Sequence, residues 1–88
     1  MRPSSTDIVE LLKSNPMILD TEVLPPEDSD SGEVVMFRVK VDDPYDADEC
    51  FTKCAKIDSL LFRLGIDESD IVYNDCEGLL NEGMITLS

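Results

Sequence analysis

The sequence contains no histidine, and only seven of its 88 residues are lysine or arginine. Without histidine, the chain lacks the side chain that most often transfers protons near neutral pH. No apolar run approaches the ~18 residues that a membrane-spanning helix needs. The N-terminal segment Met1-Arg2-Pro3-Ser4-Ser5 also lacks the apolar core of a signal peptide. These absences predict a cytoplasmic protein that makes no membrane contact, and this includes the cytoplasm of an infected host cell.

Cysteine is scarce as well, with only Cys50, Cys54 and Cys76. An odd number of cysteines in a short chain is a poor disulfide framework, and reduced thiols suit a cytosol. A structural zinc site usually has four Cys or His ligands, which this chain cannot supply. We therefore predict no metal and no cofactor. Cys50 and Cys54 are interpreted as small apolar residues on the buried face of a helix.

Two further kinds of site are disfavoured by spacing and by residue type. An EF-hand calcium loop needs Gly at position six and Glu at position twelve. A loop starting at Asp28 has Glu33 at position six, and one starting at Glu27 has Arg38 at position twelve, so neither fits. No base is available to activate a serine nucleophile. We predict no catalytic residue and no enzymatic activity, although a small metal-dependent enzyme stays as a remote alternative.

The segment Glu33–Asp42 has the pattern of a half-buried central strand. Val35, Phe37, Val39 and Val41 alternate with a second set that includes Arg38. Side chains alternate across a strand, so the first set is predicted to face a core and the second to face outward. Val and Phe also suit a pleated, half-buried surface.

The other elements follow from helical spacing and from turn residues. Helical spacing predicts helices over about 6–14 and 46–64, and alternation predicts strands over 17–24, 71–73 and 84–87. In the first strand, Leu19, Thr21 and Val23 are predicted to share one face. The second helix has a continuous apolar stripe of Ala47, Cys50, Phe51, Cys54, Ala55, Ile57, Leu61 and Leu64. Residues 74–82 fit either a short helix or a hairpin turn.

These elements predict one domain over residues 1–88, with residues 1–5 flexible and residues 25–33 forming an acidic hairpin loop. The fold class is α+β: a small antiparallel sheet of three to four strands with two helices packed on one face, in the order α-β-β-α-β-β.

The strongest functional signal is the excess of acidic residues. Twenty Asp and Glu residues give a formal net charge of -13, which repels nucleic acid and anionic membranes and favours a basic protein partner. No Lys or Arg occurs in residues 14–37 or 64–88, whereas Asp and Glu are frequent in both stretches. We expect the partner to be contacted by the carboxylates of these stretches: Asp20, Glu22, Glu27, Asp28, Asp30, Glu33, Asp67, Glu68 and Asp70.

Carboxylates on one face of a strand stand about 6.5–7 Å apart, which is comparable to the spacing of phosphates along a nucleic-acid strand. In size and composition the chain resembles phage- or mobile-element-encoded inhibitors of host nucleic-acid enzymes, and bacterial immunity proteins that neutralise basic toxins. That resemblance implies a non-enzymatic inhibitor that occupies a basic site on a nucleic-acid-binding protein as a nucleic-acid mimic.

Two other interpretations stay open. The charge could serve solubility alone. Alternatively, the chain is an accessory or assembly module that binds through an apolar sheet face around Val34 and Met36, and that forms a homodimer.

Overall fold

The computed structural model describes residues 3–26, 32–73 and 80–87. It has the predicted α+β architecture, with two helices and a four-stranded antiparallel sheet in the order α-β-β-α-β-β. The elements are α1 (Ser5–Lys13), β1 (Ile18–Leu24), β2 (Val34–Val39), α2 (Ala47–Leu64), β3 (Ile71–Tyr73) and β4 (Glu82–Thr86). One turn of 3-10 helix, Glu68–Asp70, precedes β3. Residues 74–79, for which helix and hairpin were both open, lie outside the described residues.

Strand β2 is central, because the strand order in the sheet is β1-β2-β4-β3. It pairs with β1 on one side and β4 on the other, so Phe37 lies opposite both Thr21 and Gly83. Strands β1 and β3 form the two edges of the sheet. The antiparallel hairpin predicted for the first two strands is confirmed.

The core lies between the two helices and one face of the sheet. Val35, Phe37 and Val39 are buried, as their alternation predicts, whereas the intervening residues of β2 are half-buried. Helix α1 contributes Ile8 and Leu12, and helix α2 contributes Ile57 and Leu61, to the same cluster. Both helices therefore cover this face, and the opposite face of the sheet has no helix from the described residues against it.

Each helix begins and ends at residues suited to its terminus. The Ser4 hydroxyl accepts a hydrogen bond from the Asp7 amide, and the Asp7 carboxylate accepts one from the Ser4 amide, forming a capping box at α1. The Asp46 carboxylate caps α2 by accepting a hydrogen bond from the Glu49 amide. Gly65 ends α2 at a φ of 107°, a left-handed conformation that glycine adopts without steric cost.

Two sequence-based assignments of facing are wrong. The pairing register of β1 shifts between Ile18 and Asp20, so Leu19 is an extra residue that is 55% exposed. Such a bulge is invisible to a strict alternation of side chains. On α2 the buried stripe is narrower than predicted: Phe51 is 61% exposed, and Ala47 and Ala55 are exposed as well. Phe51 follows buried Cys50 by one residue, a rotation of about 100° around the helix, which places it on the flank of the stripe.

Gly83 makes room for two aromatic rings in the core. The Phe37 and Tyr73 rings meet edge to face, with centroids 5.9 Å apart. A Cβ atom on Gly83 would stand 2.5 Å from Phe37 Cζ and 2.9 Å from Tyr73 Cε1. The missing side chain therefore allows the two rings to pack across β4.

Within the described residues, no helix is long and apolar enough to cross a membrane.

Candidate functional site

The uncovered side of the sheet, here called the open face, displays three rows of cross-strand neighbours. The strand register places Asp20, Arg38 and Glu82 in one row and Leu24, Val34 and Thr86 in another. The row between them runs from Glu22 on β1 through the side chains of the next three strands: Met36, Met84 and Val72. Adjacent strands bring such neighbours to within about 5.5 Å, so each row acts as one surface feature.

The charged row contains a bidentate ion pair. Arg38 Nε donates to both carboxylate oxygens of Asp20 at 3.1 Å, and Arg38 Nη2 donates to Asp20 Oδ2. These hydrogen bonds hold the pKa of Asp20 below its ordinary value, because they stabilise the charged carboxylate. Asp20 is therefore ionised but locally neutralised. Arg38 belongs to the set that was predicted to face outward, and the structure places it on the open face beside Asp20.

The central row is apolar over three strands. Met84 is 37% exposed and Val72 is 52% exposed, while Met36 is half-buried. Beside this row, a depression of about 380 Å³ is lined by Glu22, Met36, Arg38 and Glu82, among others. Methionine side chains adapt readily to a partner's shape. The open face thus combines an adaptable apolar stripe with a border of charged residues.

The acidic residues predicted to meet a partner fall into separate groups. Asp20 and Glu22 are on β1, whereas Asp67, Glu68 and Asp70 directly precede β3 at the opposite edge of the sheet. Three inter-strand steps separate these edges, a distance of about 14 Å. Glu33 is exposed just before β2, where its Oε1 accepts a hydrogen bond from the Ser5 hydroxyl at 3.1 Å. Glu27, Asp28 and Asp30 lie outside the described residues.

A further acidic surface was missed by the sequence-based list of partner-binding residues. Five of the eight residues from 42 to 49, here called the acidic turn, carry a carboxylate: Asp42, Asp43, Asp46, Asp48 and Glu49. The first four are exposed, and exposed Tyr45 lies among them. The density of carboxylates was the available signal, but the segment was interpreted only as the end of a strand and the start of a helix.

Part of the acidic turn has a structural role. Glu49 Oε1 accepts the backbone amides of Asp43 at 2.9 Å and Asp42 at 3.1 Å, and Glu49 Oε2 accepts Lys53 Nζ at 3.1 Å. These contacts, the Asp43 amide foremost, lower the pKa of Glu49. The side chains of Asp42 and Asp48 make no such contact with other described residues. Those two carboxylates can therefore meet a partner without loss of a structural hydrogen bond.

A groove of about 500 Å³ separates α2 from β3 and is lined by Phe51, Cys54, Asp58 and Tyr73, among others. The Tyr73 hydroxyl donates to Asp58 Oδ1 and lies 3.4 Å from the Cys54 carbonyl oxygen. Burial raises the pKa of Asp58, and burial together with the adjacent carboxylate raises the pKa of Tyr73. Burial also raises the pKa of the Cys54 thiol to about 11. At neutral pH this thiol is protonated and is a poor nucleophile.

Cys50 and Cys54 are both buried, as predicted for apolar positions of the helix. The Cys50 thiol lies 3.6 Å from the Pro44 carbonyl oxygen, and burial raises the pKa of this thiol too. Cys76 is outside the described residues. In the described ranges, no three Cys, Asp or Glu side chains are placed to hold one metal ion.

Comparison with protein families, curated proteins and solved structures finds no match to this chain.

Proposed function

We propose that this protein is a non-enzymatic acidic binding protein. It occupies a basic site on a partner protein, as an inhibitor or antagonist of a protein that normally binds nucleic acid there.

The supporting observation is the number of exposed carboxylates that no cation neutralises. Two ion pairs join described residues, Arg38 with Asp20 and Lys53 with Glu49. Glu10, Glu22, Asp42 and Asp48 have no ion-pair partner among the described residues. The negative field of the chain is therefore available to a basic surface, and such a field accelerates association with an oppositely charged protein.

Charge reversal at positions without a structural hydrogen bond tests this proposal. The partner would first be captured from the source organism or its host, and its association kinetics measured with wild-type protein and the triple variant Glu22→Lys, Asp42→Lys, Asp48→Lys. The fold should survive, because none of the three carboxylates makes a structural hydrogen bond with another described residue. Binding should also survive, because each exposed ion pair with the partner contributes only about 0–1 kcal/mol. We expect association to slow roughly tenfold at low salt, because the steering field is reduced.

The matched control is the triple amide variant Glu22→Gln, Asp42→Asn, Asp48→Asn, which removes half as much negative charge in nearly the same shape. It should slow association by a smaller factor, and nucleic acid should compete with the wild-type protein for the partner. An association rate unchanged by the charge reversals, with no competition by nucleic acid, would rule the proposal out.

The apolar row of the open face favours a second candidate, an assembly module that binds through Met36, Met84 and Val72. Partly exposed apolar side chains in a continuous row are typical of protein contacts. This candidate predicts that Met84→Asp abolishes binding, whereas the reversals Asp42→Lys and Asp48→Lys, which are not in this row, leave the affinity nearly unchanged.

A further inference from the structure

The outer edge of β1 is open to another strand. Strand β1 has seven residues and pairs with β2 on one side only. No described segment pairs with its outer side. The opposite edge is shorter and partly closed, since β3 has three residues and the Ile71 amide already donates to the Glu68 carbonyl oxygen.

The register identifies which backbone groups of β1 point outward. Val39 donates its amide to Asn81 on the β4 side, whereas Lys40 donates to Met17 on the β1 side. Backbone groups alternate in direction along a strand, so the amides and carbonyls of Arg38 and Met36 point towards β1. There these two residues pair with Asp20 and Glu22. The amides and carbonyls of Thr21 and Val23 therefore point away from β2, where an additional strand would find two donors and two acceptors.

The charged side chains of β1 determine which kind of strand can bind at this edge. In an antiparallel pair of two copies with Thr21 of one opposite Val23 of the other, the two Glu22 carboxylates would lie directly opposite each other. Neither has an ion-pair partner among the described residues, and like charges so placed are destabilising. A strand with lysine or arginine on the open-face side would instead place cations beside Glu22 and Asp20. On the other side, an apolar residue of that strand would cover Val23, which is 38% exposed.

We propose that the outer edge of β1 binds an extended segment of the basic partner as a fifth strand. Main-chain hydrogen bonds to Thr21 and Val23 fix its position, and alternating basic and apolar side chains determine its identity. This inference rests on the proposed function, since it takes the basic character of the partner from there. It adds to that function the mode of contact: a segment of the partner joins the sheet as a strand, rather than a folded surface of the partner docking alone.

The first experiment uses an acetylated and amidated peptide of alternating lysine and valine, Lys-Val-Lys-Val-Lys-Val-Lys. Amide hydrogen exchange of the wild-type protein would be measured with saturating peptide and with a peptide of the same composition whose valines are grouped together. We expect the alternating peptide to slow exchange at the Thr21 and Val23 amides about tenfold or more, because hydrogen-bonded amides are protected. The grouped peptide should protect them less.

The second experiment compares Val23→Pro with Val23→Ala. Proline removes the outward amide without removing a hydrogen bond to β2, whereas alanine keeps the amide and shortens the side chain. Val23→Pro should weaken peptide binding about tenfold, and Val23→Ala should weaken it less. If Val23→Pro fails to fold, the exchange measurement on wild-type protein still decides.

The outcomes separate the two proposals. Salt-sensitive binding of the peptide without protection at Thr21 and Val23 would overturn strand addition and leave the acidic binding function standing. Absence of peptide binding would also overturn strand addition. Protection at these amides with an affinity that does not depend on salt would support strand addition at this edge and contradict the charge-guided function.

Discussion

Gly83 shows how one absent side chain shapes the core. It lies opposite Phe37 and Tyr73 in the strand register, and both rings occupy the space that a Cβ atom would need. The sequence gives no indication of this role, because a glycine near the end of the chain is equally compatible with a turn. Only the register of β4 reveals that Gly83 is inside the sheet.

Replacing Gly83 with alanine should therefore destabilise the protein by about 1–3 kcal/mol, since the rings or the strand must shift to admit the methyl group. Urea denaturation would measure the loss. Thr86→Ala, at an exposed position of the same strand, is the matched control and should cost less than about 0.5 kcal/mol. Equal losses for the two variants would show that the ring pair does not depend on Gly83.

Strand β2 is the element that the sequence predicts best, because alternation of apolar side chains is a direct consequence of strand geometry. Its buried residues Val35, Phe37 and Val39 were all assigned to the correct face. Strand β1 was less predictable, since the bulge at Leu19 interrupts the alternation. The exposure of Phe51 could not be foreseen either, because helical spacing does not give the width of the covering sheet.

Substitutions on the two faces of β2 should differ strongly in how much they destabilise the protein. Phe37→Ala should cost about 3–5 kcal/mol, because Phe37 is 2% exposed and packs against Tyr73. Val34→Ala, at a half-buried position on the open face, should cost much less. Denaturant unfolding of both variants provides the comparison, and equal losses would contradict the assignment of the two faces.

The contact between α2 and β3 should make stability depend on pH. Burial raises the pKa of Asp58 in the folded state, so the protonated carboxyl is favoured by folding. The stabilising contribution of this group is present below its unfolded pKa and is lost as the pH rises through its folded pKa. Asp58→Asn should therefore be more stable than wild type at neutral pH, and this advantage should shrink on acidification.

Unfolding free energies from about pH 3 to pH 7 would test this, since the range spans the ordinary pKa of Asp. Tyr73→Phe removes the hydroxyl whose hydrogen bond opposes the increase in the pKa of Asp58, so it should strengthen the pH dependence. Parallel stability curves for wild type and Asp58→Asn would show that Asp58 is not the titrating group.

At the scale of the whole molecule, the net charge of -13 was apparent from the sequence, but its arrangement was not. Asp20 is neutralised by Arg38, and the carboxylates before β3 lie at the far edge of the sheet from β1. The carboxylates are therefore better described as several acidic surfaces around the fold than as a single phosphate-like row along β1. The acidic turn adds a further surface: its carboxylates are evident in the sequence, and the structure shows that four of the five are exposed.

The most direct test of the acidic binding function is the salt dependence of the association rate with the captured partner. Measurements would compare salt concentrations of about 0.01 M and 1 M, where the Debye length is about 30 Å and about 3 Å. We predict that the association rate of the wild-type protein falls at least tenfold between them, because screening removes the attraction between the carboxylates and a basic surface. An association rate that is the same at both concentrations would contradict the proposed function.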